Sequence, residues 1–178
     1  MLMKLEWMGE YREFVEQLIK YCNYYAASYK KERCYGTEIP ISFAQIQIVE
    51  YLLENEELHQ NMSEIALRLG ISNSQFSKLT DKLVAKGLLE RFRTLDNKKD
   101  VIVQVTDYGK KIYDQYARVI YKYHFSKMFQ AGEALPKEYL PVVAAMLGTG
   151  CASEKKSKKK KEVLIPISKK RTDAKTQE

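Results

Sequence analysis

Residues 73–82 read Asn-Ser-Gln-Phe-Ser-Lys-Leu-Thr-Asp-Lys, a stretch in which amides, hydroxyls and ammonium groups interleave with apolar side chains at helical spacing. Wound as a helix, Ile71, Phe76, Leu79 and Leu83 share one face, while Asn73, Ser74, Gln75, Ser77, Lys78 and Lys82 share the opposite one. Short amides and hydroxyls can reach base edges, and lysine can reach guanine or a phosphate. That face therefore carries the chemistry of a major-groove reader. Taken alone it is equally an ordinary solvated helix face, so the flanking elements decide between the two.

Those elements are punctuated at each step. Ser42 with Gln45, Asn61 with Glu64, and Ser72 with Gln75 each have the spacing of a helix start, where a side-chain oxygen satisfies a free N–H of the first turn. Ala66 permits close helix crossing, and Gly70 suits the left-handed residue that ends a helix. The order is helix, tight turn, second helix. Two strands follow, LLERFR (88–93) and VIVQV (101–105), joined by TLDNKKD with Lys98 and Lys99 at its tip. A basic tip beside a reading helix suits the neighbouring minor groove, where negative potential is strong.

The rest of the chain frames this module. Met8, Tyr11, Val15, Leu18, Cys22 and Tyr25 recur at three and four residues and predict a long helix over 5–34, with a break between Gly36 and Pro40. Ile112, Tyr116, Val119, Ile120 and Tyr123 predict another over 107–130, and a short helix is expected at 138–148. The domain reading is an N-terminal helix within 1–35, a compact module over 41–106, C-terminal helices over 107–150 and a basic, flexible tail over 151–178. The net charge of +7 sits mostly in that tail, where ten basic and four acidic residues leave +6. Residues 63–111 carry ten basic and six acidic groups, and this local +4 is the charge that bears on nucleic acid.

Other chemistries find little support. Two histidines, His59 and His124, lie far apart, so neither a metal nor a catalytic base is expected from them, and no phosphate-binding glycine loop follows a strand. The reading is of a protein that is not an enzyme and needs no cofactor. Three cysteines form no metal spacing and are odd in number, which suits a reducing compartment. With no apolar run of about 20 residues and no signal-peptide pattern near Met1, a cytoplasmic location is expected and a membrane role is not.

The pieces ISFAQIQIVEYL, SEIALRLGISNSQFSKLTDKLVAKGLLER, the basic hairpin and VTDYGKKIY, over about residues 41–113, resemble the MarR (multiple antibiotic resistance regulator) family of winged helix–turn–helix proteins. The resemblance implies a mainly α fold with a small β-hairpin wing, and long N- and C-terminal helices that interlock in a homodimer. It also implies a transcription regulator, a repressor at palindromic double-stranded operators, relieved by a small aromatic or lipophilic ligand. On this resemblance Ser74, Gln75, Ser77 and Lys78 read bases and Lys82 meets phosphate. Arg93, Asn97, Lys98 and Lys99 form the wing set. The family's wing usually carries an arginine at its tip; Lys99 stands there instead and lacks the planar fork that suits a narrow groove.

Thirteen tyrosines are many for this length, and several fall on the first and fifth helices. Tyr11, Tyr25, Tyr113 and Tyr116 are candidates for an aromatic-lined ligand cleft, although amphipathic aromatics also serve dimer interfaces. Two alternative readings remain: a winged helix used for protein contacts, and an oxidant sensor using Cys22 or Cys34.

Overall fold

The computed structural model describes residues 6–94, 101–149 and 164–166, and side chains within 7–93 and 101–149. The capping residues set its frame. Ser42 accepts from the Gln45 N–H, and the Gln45 side chain accepts from the Ser42 N–H, a reciprocal pair that starts α2 (Phe43–Glu54). Asn61 and Glu64 make the same pair at α3 (Met62–Arg68). Ser72 accepts from the Gln75 N–H and starts α4 (Asn73–Ala85). Each pair satisfies first-turn donors that a helix cannot satisfy itself.

Two glycines make the turns. Gly70 has φ +66°, and beside it the Ile71 N–H donates to the Ala66 carbonyl at 3.0 Å. Gly87 has φ +74°, and the Leu88 N–H donates to Leu83 O at 3.0 Å. Both are helix ends in which a left-handed residue turns the chain back onto the core. The first joins α3 to α4; the second leads from α4 into the wing. Strands β1 (Leu89–Thr94) and β2 (Val101–Val105) pair antiparallel from Leu89 opposite Val105 to Arg93 opposite Val101. A third strand, β3 (Leu164–Pro166), lies on the other edge of β1, giving the order β2-β1-β3. Asn61 adds a single bridge to Ile102.

The core sits where these elements meet. Ile41, Ile48, Val49, Ile65, Phe76, Leu83, Leu88, Leu89 and Ile112 are all essentially inaccessible to solvent. At about 25 cal/mol per Å² of apolar surface, each large side chain contributes roughly 1.5–3 kcal/mol.

The helices outside the module differ from expectation in their ends. The N-terminal helix is broken at Gly9 (φ +49°, ψ −131°): a 3-10 segment spans Glu6–Tyr11 and α1 runs Arg12–Tyr29. It stops short of residue 34 because Arg33 and Ile41 exchange backbone hydrogen bonds of 3.1 and 3.0 Å, a bridge that extended backbone alone can make. The fifth helix, α5 (Asp107–Ile120), continues through a wider π-helical turn at Tyr121–Phe125 into α6 (Ser126–Gly132). Finally α7 spans Leu140–Gly148.

α5 is pinned to the base of the wing. Thr106 caps it by accepting from the Gly109 N–H at 2.9 Å, and the Thr106 hydroxyl donates to the Gly87 carbonyl at 2.7 Å. Gly109 is buried there, and a Cβ on it would overlap the Leu88 carbonyl oxygen and stand 2.7 Å from Val105 Cγ1. Gly109→Ala should therefore cost about 1–3 kcal/mol through overpacking against backbone that cannot yield. Chemical denaturation checks this; an unchanged midpoint would show that α5 does not rest on Leu88.

Candidate nucleic-acid interface

The orientation of α4 follows from which of its side chains are buried. Phe76, Thr80 and Leu83 are 0% exposed, and Ile71 and Leu79 pack half-buried against the same core. The opposite side then has to face outward. Asn73, Ser74, Lys78 and Lys82 are exposed, while Gln75 and Ser77 are half-buried on its flanks. α4 thus presents a polar, partly cationic face of major-groove width, with its apolar face locked in the core. Thr80 is an oddity of the buried side: its hydroxyl oxygen has no hydrogen-bond partner among the described residues.

The charges beside this face form a connected set. Arg91 of β1 pairs with Asp81 of α4 at 2.6 Å, tying the wing to α4. Lys86, one residue beyond α4, donates to Glu32 at 3.0 Å, to the Pro40 carbonyl at 2.7 Å and to Gln45 at 3.2 Å. The Gln45 amide in turn donates to Glu32 at 2.9 Å, and Lys82 stands 3.8 Å from the same carboxylate. Glu32 thereby joins the segment after α1 to the far end of α4. The Lys86 hydrogen bond first, then the Lys86 charge, the Gln45 amide and the Lys82 charge, hold its carboxyl below the ordinary 4.5 against the opposing effect of partial burial. A groove of about 390 Å³ runs along this side, with Lys30, Lys78, Lys82, Ser72 and Ser74 in its walls.

Lys30, Glu32 and Lys86 were not among the residues that local sequence pattern singles out. Their proximity to α4 depends on how α1 leaves the core, which no short-range spacing encodes. Of the wing set, Arg93 is exposed on β1 opposite Val101. Asn97, Lys98 and Lys99 lie outside the described residues, as do residues 151–163 and 167–178 of the tail.

A second cavity, of about 520 Å³, opens between α1, α2 and α5. Tyr21, Tyr24, Tyr25, Phe43, Tyr116 and His124 line it, with Gln47 and Glu50 as its polar groups. Its rings are mutually packed: Tyr25 stacks on Phe43 at 5.8 Å, and His124 stands edge-on to Phe43 at 5.9 Å. Burial pushes the Tyr25 phenol up to about 12 and the Tyr116 phenol upward too, so both are neutral donors at neutral pH. Tyr25 and Tyr116 of the sequence candidates are thus brought together here. Tyr11 and Tyr113 are not in the lining: Tyr11 is 61% exposed, and Tyr113 donates to Glu50 at 2.8 Å. Cys22 and Cys34 are both exposed free thiols. Among the described residues no helix is long and apolar enough to cross a membrane, and no group of three potential ligands could hold a metal.

The Glu32 node makes a signed pH prediction. A carboxyl whose folded pKa is depressed contributes stability that is fully present above its ordinary 4.5 and is lost as pH falls through the lower folded value. Glu32→Gln should cost about 0.5–1 kcal/mol at pH 7, since the pair is partly exposed and screened. The gap from the parent protein should close below about pH 4. Paired denaturation curves at pH 7 and pH 3.5 check it; a gap that persists at the lower pH would contradict the ionic account.

Known proteins share this arrangement. Residues 39–98 match the model of the MarR family. In Bacillus subtilis the HTH-type transcriptional regulator YhjH is 27% identical over 96 residues, 54% of this chain and 51% of that protein. PchR is 26% identical over 46% of this chain and 47% of its own length. YhbI is 28% identical over 72% of this chain and 86% of its own length. The chain thus spans about half the length of the first two relatives. Among solved structures, the transcriptional regulator BldR of Sulfolobus solfataricus superposes with a TM-score of 0.62 at 23% identity, covering 80% of this chain and 99% of BldR. The repressor CouR, bound to a 23-mer DNA duplex, gives 0.57 at 23% identity over 80% and 95%. PcaV of Streptomyces coelicolor, in complex with its natural ligand, gives 0.56 at 14% identity over 80% and 93%. At these identities the superpositions speak for the fold: a winged helix–turn–helix with flanking helices. Residues 39–98 thus match the MarR family model, and the fold that surrounds them is similar to that of the solved transcriptional regulators.

Proposed function

We propose that this protein is a transcription regulator that binds double-stranded DNA sequence-specifically, as a homodimeric repressor at a palindromic operator. The observation that carries the reading is the outward face of α4, where Asn73, Ser74, Lys78 and Lys82 stand exposed on a helix whose other face is fully buried. Asn73, Ser74 and Gln75 at its N-terminal end are of a size to meet base edges, and Lys78 can reach guanine or phosphate. Lys82, exposed on the same face, meets phosphate in this reading. Arg93 with Asn97, Lys98 and Lys99 serves the adjacent minor groove. The solved DNA complex of CouR, whose fold this chain shares, lends support.

Dimerisation is supported by the apolar groups left outside the core. Trp7, Tyr11, Phe14 and Ile19 at the N-terminal end, and Tyr123, Phe129, Leu140, Val142 and Met146 on the C-terminal helices, are each more than a third exposed. Exposed apolar side chains on these helices suit a two-fold interface. A homodimer would set two copies of α4 about 34–36 Å apart, one turn of DNA.

The aromatic cavity between α1, α2 and α5 supports relief by a ligand. It abuts Phe43 at the start of α2, so a flat apolar molecule stacked on Tyr25 and Phe43 would shift the base on which the reading head sits. PcaV was solved with its natural ligand, and the same fold here offers a cavity of suitable size.

Ser74 and Lys78 are exposed and outside the core, so replacing both by alanine should leave folding intact. Specific binding should fall by roughly 2–4 kcal/mol, at about 1–3 per base contact, while binding to random DNA changes far less. Binding to the selected operator, followed by fluorescence anisotropy, checks this; parental affinity in the folded double variant would remove α4 as the reading element.

A further inference from the structure

We propose that β3, the strand Leu164–Pro166 paired along the outer edge of β1 in its own chain, braces the wing for DNA binding. β1 pairs with β2 along one edge only. Its other edge, at Phe92–Thr94, would otherwise present unpaired backbone donors and acceptors, a template for any extended chain. β3 takes that edge antiparallel, with Thr94 opposite Leu164, Arg93 opposite Ile165 and Phe92 opposite Pro166.

The residue types fit the position. Residues 163–167, Val-Leu-Ile-Pro-Ile, form the apolar stretch of a C-terminal region otherwise rich in lysine. Valine, leucine and isoleucine suit a pleated edge, with the β-branched pair favoured most. Pro166 has no N–H to donate, so it is tolerated in an outer strand and not in a central one. It ends the pairing and discourages a fourth strand. Leu164 lies opposite Thr94, at the far end of β1 from Leu89.

A two-stranded hairpin is marginal in water, and a third strand narrows its conformations before it meets a partner. Less ordering then remains to be lost on binding. This second consequence rests on the DNA-binding reading; the pairing itself does not.

Ile165→Pro in the full chain tests both. It removes the central amide of β3 while leaving the core untouched. Amide hydrogen exchange at residues 92–94 should quicken at least about fivefold, with α2 and α4 unchanged. Affinity for the selected operator should fall several-fold. Exchange at residues 92–94 equal to the parent protein would overturn the pairing. Faster exchange with parental operator affinity would overturn its contribution to binding. Protection restored to isotopically labelled Ile165→Pro chains by mixing with unlabelled parent would mean that β3 docks on a second copy, and would overturn docking in cis.

Discussion

The burial of one face of α4 governs how the rest of this molecule is arranged. Phe76, Thr80 and Leu83 are sealed among Ile48, Ile65, Leu88 and Ile112, and a helix so held has one rotation about its axis. A turn of α4 by one residue would swing Phe76 toward water and either Ser77 with Asp81 or Gln75 with Lys82 toward the core, at several kcal/mol for the stranded polar groups alone. The exposed polar face is therefore a consequence of the apolar one. Packing pre-organises the surface that the proposed function uses.

The neighbouring elements transmit that constraint. Gly87 turns the chain out of α4 directly into the buried pair Leu88–Leu89, so the wing starts from a fixed point. Thr106 and Gly109 fasten α5 to the same point. On the opposite side Lys86 and Glu32 bind the end of α4 to the segment after α1. The aromatic cavity opens between α1, α2 and α5, and α2 also packs against α4. Under the proposed function, a ligand that favours one spacing of those helices over another would act on α4 through α2. Its effect would be limited to its difference in affinity for the two spacings.

Much of this was legible in the sequence, because the signals were local. The starts at Ser42, Asn61 and Ser72 depend on residues three apart, and each cap forms. The left-handed turn at Gly70, the two strands and the buried face of α4 follow from equally short patterns. Features that depend on distant segments were not legible. Glu32 reaches Lys86 across 54 residues, and Tyr113 reaches Glu50, a polar group of the cavity, across 63. The end of α1 at Tyr29 is set by the Arg33–Ile41 bridge, and β3 by an open edge more than seventy positions earlier in the chain. Thr80 offered no warning either, since its neighbours decide whether its hydroxyl finds a partner.

The central claim is that the exposed face of α4 specifies sequence, as distinct from merely contacting DNA. Selection of bound fragments from a random-sequence pool, run in parallel with the parent protein and with Lys78→Gln, tests it most directly. Lysine prefers the O6 and N7 acceptors of guanine, whereas glutamine prefers the donor and acceptor pair of adenine. The account predicts two inverted half-sites for the parent, and for the variant a changed base preference at one position in each half-site, with the remaining positions retained. An identical consensus for the two proteins, or none for either, would contradict it.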